Sequence, residues 1–186
     1  MKYLQPSAIA SALRAGGLSL ISMVVMGTAS APAYAETPAQ WQAALQQSRL
    51  SLGQAIDAAE KAVPGRAFEA QLDIDNGSPH FEVDILTVQG EHVEVHVNAG
   101  TGAAQQHKNR GAASAKDKKR LDASKISLNQ ALDAALKHTP GTAVDAELGN
   151  DWGRAVIAVD VLTASGQRME IKINPIDGSV VSAKAD

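Results

Sequence analysis

The sequence predicts an α+β protein built from two copies of one module, each a helix packed on one face of a three- to four-stranded antiparallel β-meander. Three observations carry this reading. A segment of some fifty residues repeats without a gap at an offset of 76 residues, with roughly two positions in five identical. Each copy opens with a Ser-x-x-Gln helix start and an apolar helical stripe closed by Pro-Gly. Each then alternates apolar and polar residues with the period of a half-buried strand.

The repeat aligns Ser51 to Ala59 with Ser127 to Ala135, Pro64-Gly65 with Pro140-Gly141, and Val83-Asp84 with Val159-Asp160. It continues through Gly90 over Gly166, Glu94 over Glu170, Asn98 over Asn174 and Gly102 over Gly178. In the first helix Leu52, Ala55, Ile56, Ala59 and Val63 share one face; Leu128, Ala131, Leu132 and Ala135 do so in the second. Ser51 with Gln54, and Ser127 with Gln130, can satisfy orphan backbone donors as capping boxes. Pro-Gly ends both helices, because Pro cannot continue a helix and Gly can reverse the chain.

The first strand runs from Phe68 to Asp75 and, in copy two, from Val144 to Asn150, leading to turns at Gly77 and Gly153. The second strand places Phe81, Val83 and Ile85 on one face and Glu82 and Asp84 on the other. The third opposes Val93, Val95 and Val97 to His92, Glu94 and His96. Matching the apolar faces pairs Phe81 with Val97, Val83 with Val95 and Ile85 with Val93. A three-residue hairpin loop, Val88-Gln89-Gly90, is left over, with Gly where positive φ is needed. Copy two gives Ile157 with Ile173, Val159 with Ile171 and Val161 with Met169. Thr101-Gly102 and Asp177-Gly178 turn each copy toward a short fourth strand. Each module of about 55 residues is marginal alone, so the copies are expected to pack together, directly or across the N-terminal segment.

The modules occupy 51–106 and 126–186. Before them, residues 1–35 read as a signal peptide: Lys2 and Arg14 are basic, 17–26 is a short apolar core, and Ala33-Tyr34-Ala35 is a small-x-small cleavage site. Cleavage after Ala35 leaves Glu36 first and directs the chain to the periplasm. A membrane span needs about 20 apolar residues, and nothing after the signal approaches that, so no transmembrane segment is expected in the mature chain. Residues 36–50 form an N-terminal helical segment, starting at Thr37-Pro38 with Trp41 and Leu45 as apolar contacts.

The chain has no cysteine, which excludes disulfides, thiolate metal sites and a lipid-modified N-terminal Cys. With two Phe, two Tyr and two Trp in 186 residues, the core must be aliphatic. The formal net charge is −3 and its distribution is uneven. Lys108, Arg110, Lys116, Lys118, Lys119, Arg120 and Lys125 crowd the stretch 107–125, which reads as an exposed basic linker between acidic modules. Acidic modules in an exported protein exclude nucleic acid as a partner.

No hydrolase nucleophile elbow and no phosphate-binding glycine loop is present, so the chain is expected to be no enzyme. Glu91-His92-Val93-Glu94-Val95-His96 lacks the His-Glu-x-x-His order of zinc proteases and lies on a strand. His92 and His96 sit about 13 Å apart at strand rise, too far to share one ion. The predicted register sets Asp84 opposite Glu94 and Asp160 opposite Glu170, and like charges so placed need compensation. A divalent metal held by Asp84, Glu94 and one of His92 or His96 would supply it in copy one; otherwise no cofactor is expected. In copy two Arg168 and Lys172 do so without a metal. A periplasmic metal- or small-ligand-binding role on this polar face is therefore the second functional reading.

The residues also carry a resemblance. Pro64-Gly65, Phe81-Glu82-Val83-Asp84-Ile85, Gly90, Val93-Glu94-Val95-His96-Val97-Asn98 and Thr101-Gly102 resemble the PepSY domain. Copy two resembles it through Pro140-Gly141, the stretches 156–161 and 169–174, Gly166 and Asp177-Gly178. It departs at Ile157, where the family often has an aromatic, and at Pro175, where a small residue is usual. PepSY domains occur in propeptides of secreted metalloproteases and in exported bacterial proteins. The resemblance implies a protein-binding module that regulates or inhibits a secreted or periplasmic peptidase, without assigning binding residues. Open strand edges, which can pair with an extended peptide, are its physical route.

Overall fold

The computed structural model describes residues 38–75 and 78–185. The signal segment 1–35 and the turn residue Gly77 lie outside the described residues. No described helix is long and apolar enough to cross a membrane.

Helix α1 (Pro38–Gln47) precedes α2 (Leu52–Ala62), and α3 (Ala115–Ala123) precedes α4 (Leu128–His138). Both capping boxes form: Ser51 and Ser127 each accept from the N3 amide, while Gln54 and Gln130 each accept from the cap amide. Leu52, Ala55, Ile56 and Ala59 are buried on α2, and Leu128, Ala131, Leu132 and Ala135 on α4. Small alanines on these faces let the helix backbones settle close to the sheet.

Module 1 contributes β1 (Gly65–Asp75), β2 (Ser78–Thr87), β3 (Glu91–Asn98) and β4 (Ala104–Ala112). Module 2 contributes β5 (Thr142–Asp151), β6 (Arg154–Leu162), β7 (Arg168–Ile173) and β8 (Val180–Ala185). The hairpin registers match the sequence expectation: Phe81 faces Val97, Val83 faces Val95, Ile157 faces Ile173 and Val159 faces Ile171. Gly90 and Gly166 both have φ of +81°. The core is aliphatic around Phe81, with Val83, Ile85, Val93, Val95, Ile157, Ile171 and Ile173 all but inaccessible; each such side chain contributes about 1.5–3 kcal/mol.

The copies join directly. β1 pairs with β5 through Glu69–Glu147, Ala70–Ala146 and Gln71–Asp145, giving one eight-stranded antiparallel sheet in the order β4-β3-β2-β1-β5-β6-β7-β8. Both inner strands carry a bulge at equivalent places, between Ala67 and Glu69 and between Ala143 and Asp145. The N-terminal segment and its counterpart add a second link. Trp41 on α1, in the first repeat, lies under the Arg168 guanidinium of module 2 at 4.6 Å. Arg66 of module 1 donates to the carbonyl of Leu121 on α3, in the second repeat, at 2.9 Å. Each repeat's leading helix thus reaches the other copy's sheet.

Two expectations change, and one departure from the family pattern proves harmless. The stretch 107–125 is exposed as expected but is no mere linker: it holds most of β4, then α3, anchored by buried Leu121. Its charges line an edge strand and the outside of a helix, both solvated, so they mimic a linker's composition. Gly65 opens β1 and Gly141 immediately precedes β5, and neither reverses the chain. A Cβ there would meet the carbonyl oxygen of Leu86 at 2.4 Å or of Leu162 at 2.5 Å, so close backbone approach is what requires glycine. Pro175 does not disturb its turn. The Lys125 amide donates to its carbonyl at 2.7 Å, as Arg49 does to Ala99, and proline keeps that carbonyl.

Candidate functional site

Alternation puts the polar residues of module 1 on the sheet face away from α2. There β1 supplies Glu69, Gln71 and Asp73, β2 supplies His80, Glu82 and Asp84, and β3 supplies His92, Glu94 and His96. A register shift in β4 between the partners of Glu94 and Val95 leaves His107 as the extra residue, a bulge that aims its ring over the same face.

The four candidate ligands fall into two pairs. His92 Nε2 lies 3.0 Å from Asp84 Oδ1, without hydrogen-bond alignment, and its ring meets Phe68 edge-on at 5.0 Å. His96 Nε2 lies 3.2 Å from Glu94 Oε1 and 3.2 Å from Glu82 Oε1. Asp84 and Glu94 do face each other across β2 and β3, as the register required. Glu94 is answered by Arg110, which forms a close ion pair with it, while Asp84 has the His92 ring beside it. Glu94 is only 6% exposed. Burial works to raise its carboxyl, but the charge and hydrogen bond of Arg110, with His96 and His107, hold it below the ordinary value.

The sequence reading missed four members of the cluster, His80, Glu82, His107 and Gln71. His80 Nε2 is buried, lacks a hydrogen-bond partner, and sits 3.7 Å from both Asp73 Oδ2 and Glu82 Oε1. Its ring lies 4.6 Å from that of His96, which stacks in parallel on His107 at 3.8 Å. Gln71 Nε2 donates to Glu82 Oε2 at 3.0 Å, orienting that carboxylate. The donor atoms of His80, Glu82 and His96 all lie within 4.8 Å of one another; so do those of Glu94, His96 and His107. A pocket of about 320 Å³ opens over His80 and His96, bordered by Asn98, Thr101, Ala103 and Gln105. The signal was present: Glu82 opposite His96 follows from the predicted register, and His80 lies two residues earlier on the same face.

Module 2 presents different chemistry. Its polar face is closed by permanent cations: Arg168 on Asp160, Lys172 on Asp151 at 2.9 Å and Lys184 on Glu170 at 3.3 Å. The Asp151 hydrogen bond, first among several carboxylate contacts, raises the Lys172 ammonium above its ordinary value. Its exposed side chains are more apolar. Trp152, at the β5–β6 tip with φ of +49°, is 98% exposed; Ile176 and Val181, in the β7–β8 turn and on β8, are 54% and 58% exposed. The antiparallel order brings both turns to the same end of the sheet. Among the described residues, β8 and β4 each pair with one neighbour, so the sheet's two outer edges are open.

The chain is similar to several known proteins. The YkoJ protein of Bacillus subtilis (strain 168), itself uncharacterised, is 25% identical over 178 residues, covering 96% of this chain and 94% of that protein. A crystal structure from Clostridium difficile 630 aligns over 75% of this chain and 95% of its own at 15% identity and a TM-score of 0.43. The YpmB protein from Bacillus subtilis aligns over 71% and 94% at 13% identity and 0.34. The PepSY profile, described as peptidase propeptide and YPEB domain, matches residues 49–106 and 125–184. These two segments coincide with the two helix-and-meander units, and the chain therefore belongs to the PepSY family, carrying its domain twice in tandem.

Proposed function

We propose that this chain is a non-enzymatic, exported PepSY protein of the periplasm that regulates or inhibits a peptidase by direct contact through module 2. The observation that carries this reading is the β8 edge. Val180–Ala185 is open on one side, solvent-exposed along its length and nearly uncharged, with Lys184 its one ionic side chain. Such an edge can take an extended polypeptide as a further strand. Val181 is on it, Ile176 is in the turn leading to it, and Trp152 extends from the same end of the sheet. Exposed aromatics of this kind anchor protein interfaces. β4 is the poorer edge, because Lys108, Arg110 and two register shifts interrupt it, against one shift, at Val181, in β8. The family's description as a peptidase propeptide supports a peptidase as the partner.

The test starts from residues 36–186 as bait in a periplasmic extract, followed by addition of the purified protein to any peptidase recovered. Inhibition is expected, with Trp152→Ala and Val181→Lys each weakening it about tenfold or more. A recovered peptidase whose activity is untouched at saturating protein, or inhibition indifferent to both substitutions, would overturn the reading.

A further inference from the structure

We propose that the polar face of module 1 is a binding site for a divalent transition-metal ion of the zinc or copper class. Its ligands are His80 Nε2, His96 Nε2 and Glu82 Oε1. The reading is independent of the contact proposed for module 2.

Geometry is the first argument. Ligand atoms about 2.0–2.1 Å from a tetrahedral zinc lie about 3.4 Å from one another. Glu82 Oε1 is 3.2 Å from His96 Nε2 and 3.7 Å from His80 Nε2. The third separation is within 4.8 Å, so a small turn of one imidazole closes the set. The strand register builds this arrangement. Glu82 faces His96 directly across β2 and β3, and His80 is the next residue of β2 on that face.

The second argument is unmet bonding. His80 Nε2 is buried and has no hydrogen-bond partner, although Asp73 and Glu82 oxygens stand 3.7 Å away. Buried polar atoms without partners are rare and costly. A metal at the centre of the three donors gives this nitrogen its missing partner and draws Glu82 onto the same ion. The oxygen not aimed at the site, Glu82 Oε2, is already held by Gln71, the kind of outer contact that fixes a ligating carboxylate.

The third argument is charge. Two carboxylates, Glu82 and Glu94, converge on His96 Nε2. Arg110 answers Glu94 and leaves Glu82 without a permanent cation among its contacts. Module 2 removes the problem in another way. Its residues at the equivalent positions are Val156, Ala158 and Lys172, so the acid is gone and a fixed ammonium replaces the imidazole. One face is arranged for a removable cation and the other for a built-in one.

Two imidazoles and one carboxylate suit borderline ions rather than calcium or magnesium, which prefer oxygen. The pocket above His80 and His96 leaves room for a water or an exchangeable ligand at the remaining position. His96 is shared with a second donor set, Glu94 and His107. That set is the weaker, because Glu94 is committed to Arg110 and the His107 ring stacks on His96.

The experiment uses tag-free protein spanning residues 36–186, the chain after the expected cleavage site, stripped with chelator and titrated with zinc, copper and calcium by calorimetry and native mass spectrometry. One zinc or copper ion per chain and no calcium are expected. His80→Val and His96→Lys, each taking the residue that module 2 carries, should weaken binding on the order of 100-fold or more. His92→Arg should leave it unchanged. Circular dichroism confirms that the variants fold. Absence of zinc and copper binding by the intact chain would overturn the proposal, and so would binding that survives both ligand substitutions. Loss of binding in His92→Arg alone would overturn it too, by placing the ion at Asp84.

Discussion

Modules 1 and 2 share a backbone plan down to the bulge in the first strand, yet they share little of what they show to solvent. Where module 1 has His80, Glu82, His92 and His96, module 2 has Val156, Ala158, Arg168 and Lys172. Module 2 in turn exposes Trp152, Ile176 and Val181, and module 1 has Asn76, Gly100 and Gln105 at those positions. The buried residues answer to packing against a helix and stay alike in both copies. The solvated face is free of that demand, and there the copies divide into a histidine–carboxylate surface and a salt-bridged domain with an apolar end.

The largest effect should test whether this division rests on one folding unit. Phe81 in module 1 and Ile157 in module 2 are equivalent positions facing Val97 and Ile173, and both are almost wholly inaccessible. Phe81→Ala should cost about 3–5 kcal/mol and Ile157→Ala about 2–5 kcal/mol. Because β1 and β5 join the sheets and α1 and α3 each reach across, both variants should melt in a single transition at a lower temperature. Two calorimetric transitions, only one of which moves with each substitution, would show instead that the copies fold separately.

A smaller effect separates the two polar faces. Arg110→Ala leaves Glu94 buried without its guanidinium, and removing the partner of a buried charge costs about 2–3 kcal/mol. The same truncation at Arg168 takes away the Asp160 contact and the stacking on Trp41, so it should loosen α1 as well. Urea melts would quantify both. Trp41 fluorescence should move ahead of the main transition in Arg168→Ala and stay with it in Arg110→Ala; identical behaviour would remove the distinction drawn between the faces.

How much of this the sequence revealed depends on whether a strand is wet on one face or on both. β2 and β3 alternate strictly, so their pairing, the Gly90 turn and the opposition of Asp84 to Glu94 were all readable. β4 is exposed along nearly its whole length, Gln105 through Arg110, and so carries no period-two signal; a charged, solvated edge strand and a linker have the same composition. α3 hides for the same reason, since Leu121 is its one buried residue. The site shows the same limit. Glu82 and His96 were legible as a cross-strand pair, but His80 stood just ahead of the recognisable strand and His107 inside the supposed linker. The junction of β1 with β5 is a contact between copies, and a repeat announces its units without announcing how they dock.

That junction belongs to neither module and supplies the mildest prediction. There Glu69 pairs with Glu147, and its repeat partner Asp145 pairs with Gln71. Burial first, then Asp84 and Glu147, push the Glu69 carboxyl up to about 7, against the opposing pull of His92. Burial first, then Asp160, Glu69 and Glu147, push Asp145 to about 7, against Arg168. The ordinary values are 4.5 and 3.8. The folded chain therefore holds protons that the unfolded chain has released, and stability must fall as pH climbs through that interval toward 7. Its contribution is complete below the ordinary values and lost above 7. Glu94 works in the opposite direction: its depressed carboxyl stabilises above its ordinary value of 4.5, and that gain is lost as acid protonates it. The melting temperature should accordingly peak on the acid side of neutrality and decline toward pH 8. Both junction acids keep partial access to solvent, so screening moderates the slope. Glu69→Gln with Asp145→Asn should flatten it between pH 5 and 8 (about three decades of proton activity) and raise the melting temperature at the alkaline end. A melting temperature that instead rises steadily to pH 8 would mean that the strands meet at this seam with their carboxylates solvated and ionised, and that the copies are held together mainly by α1, α3 and the helix layer.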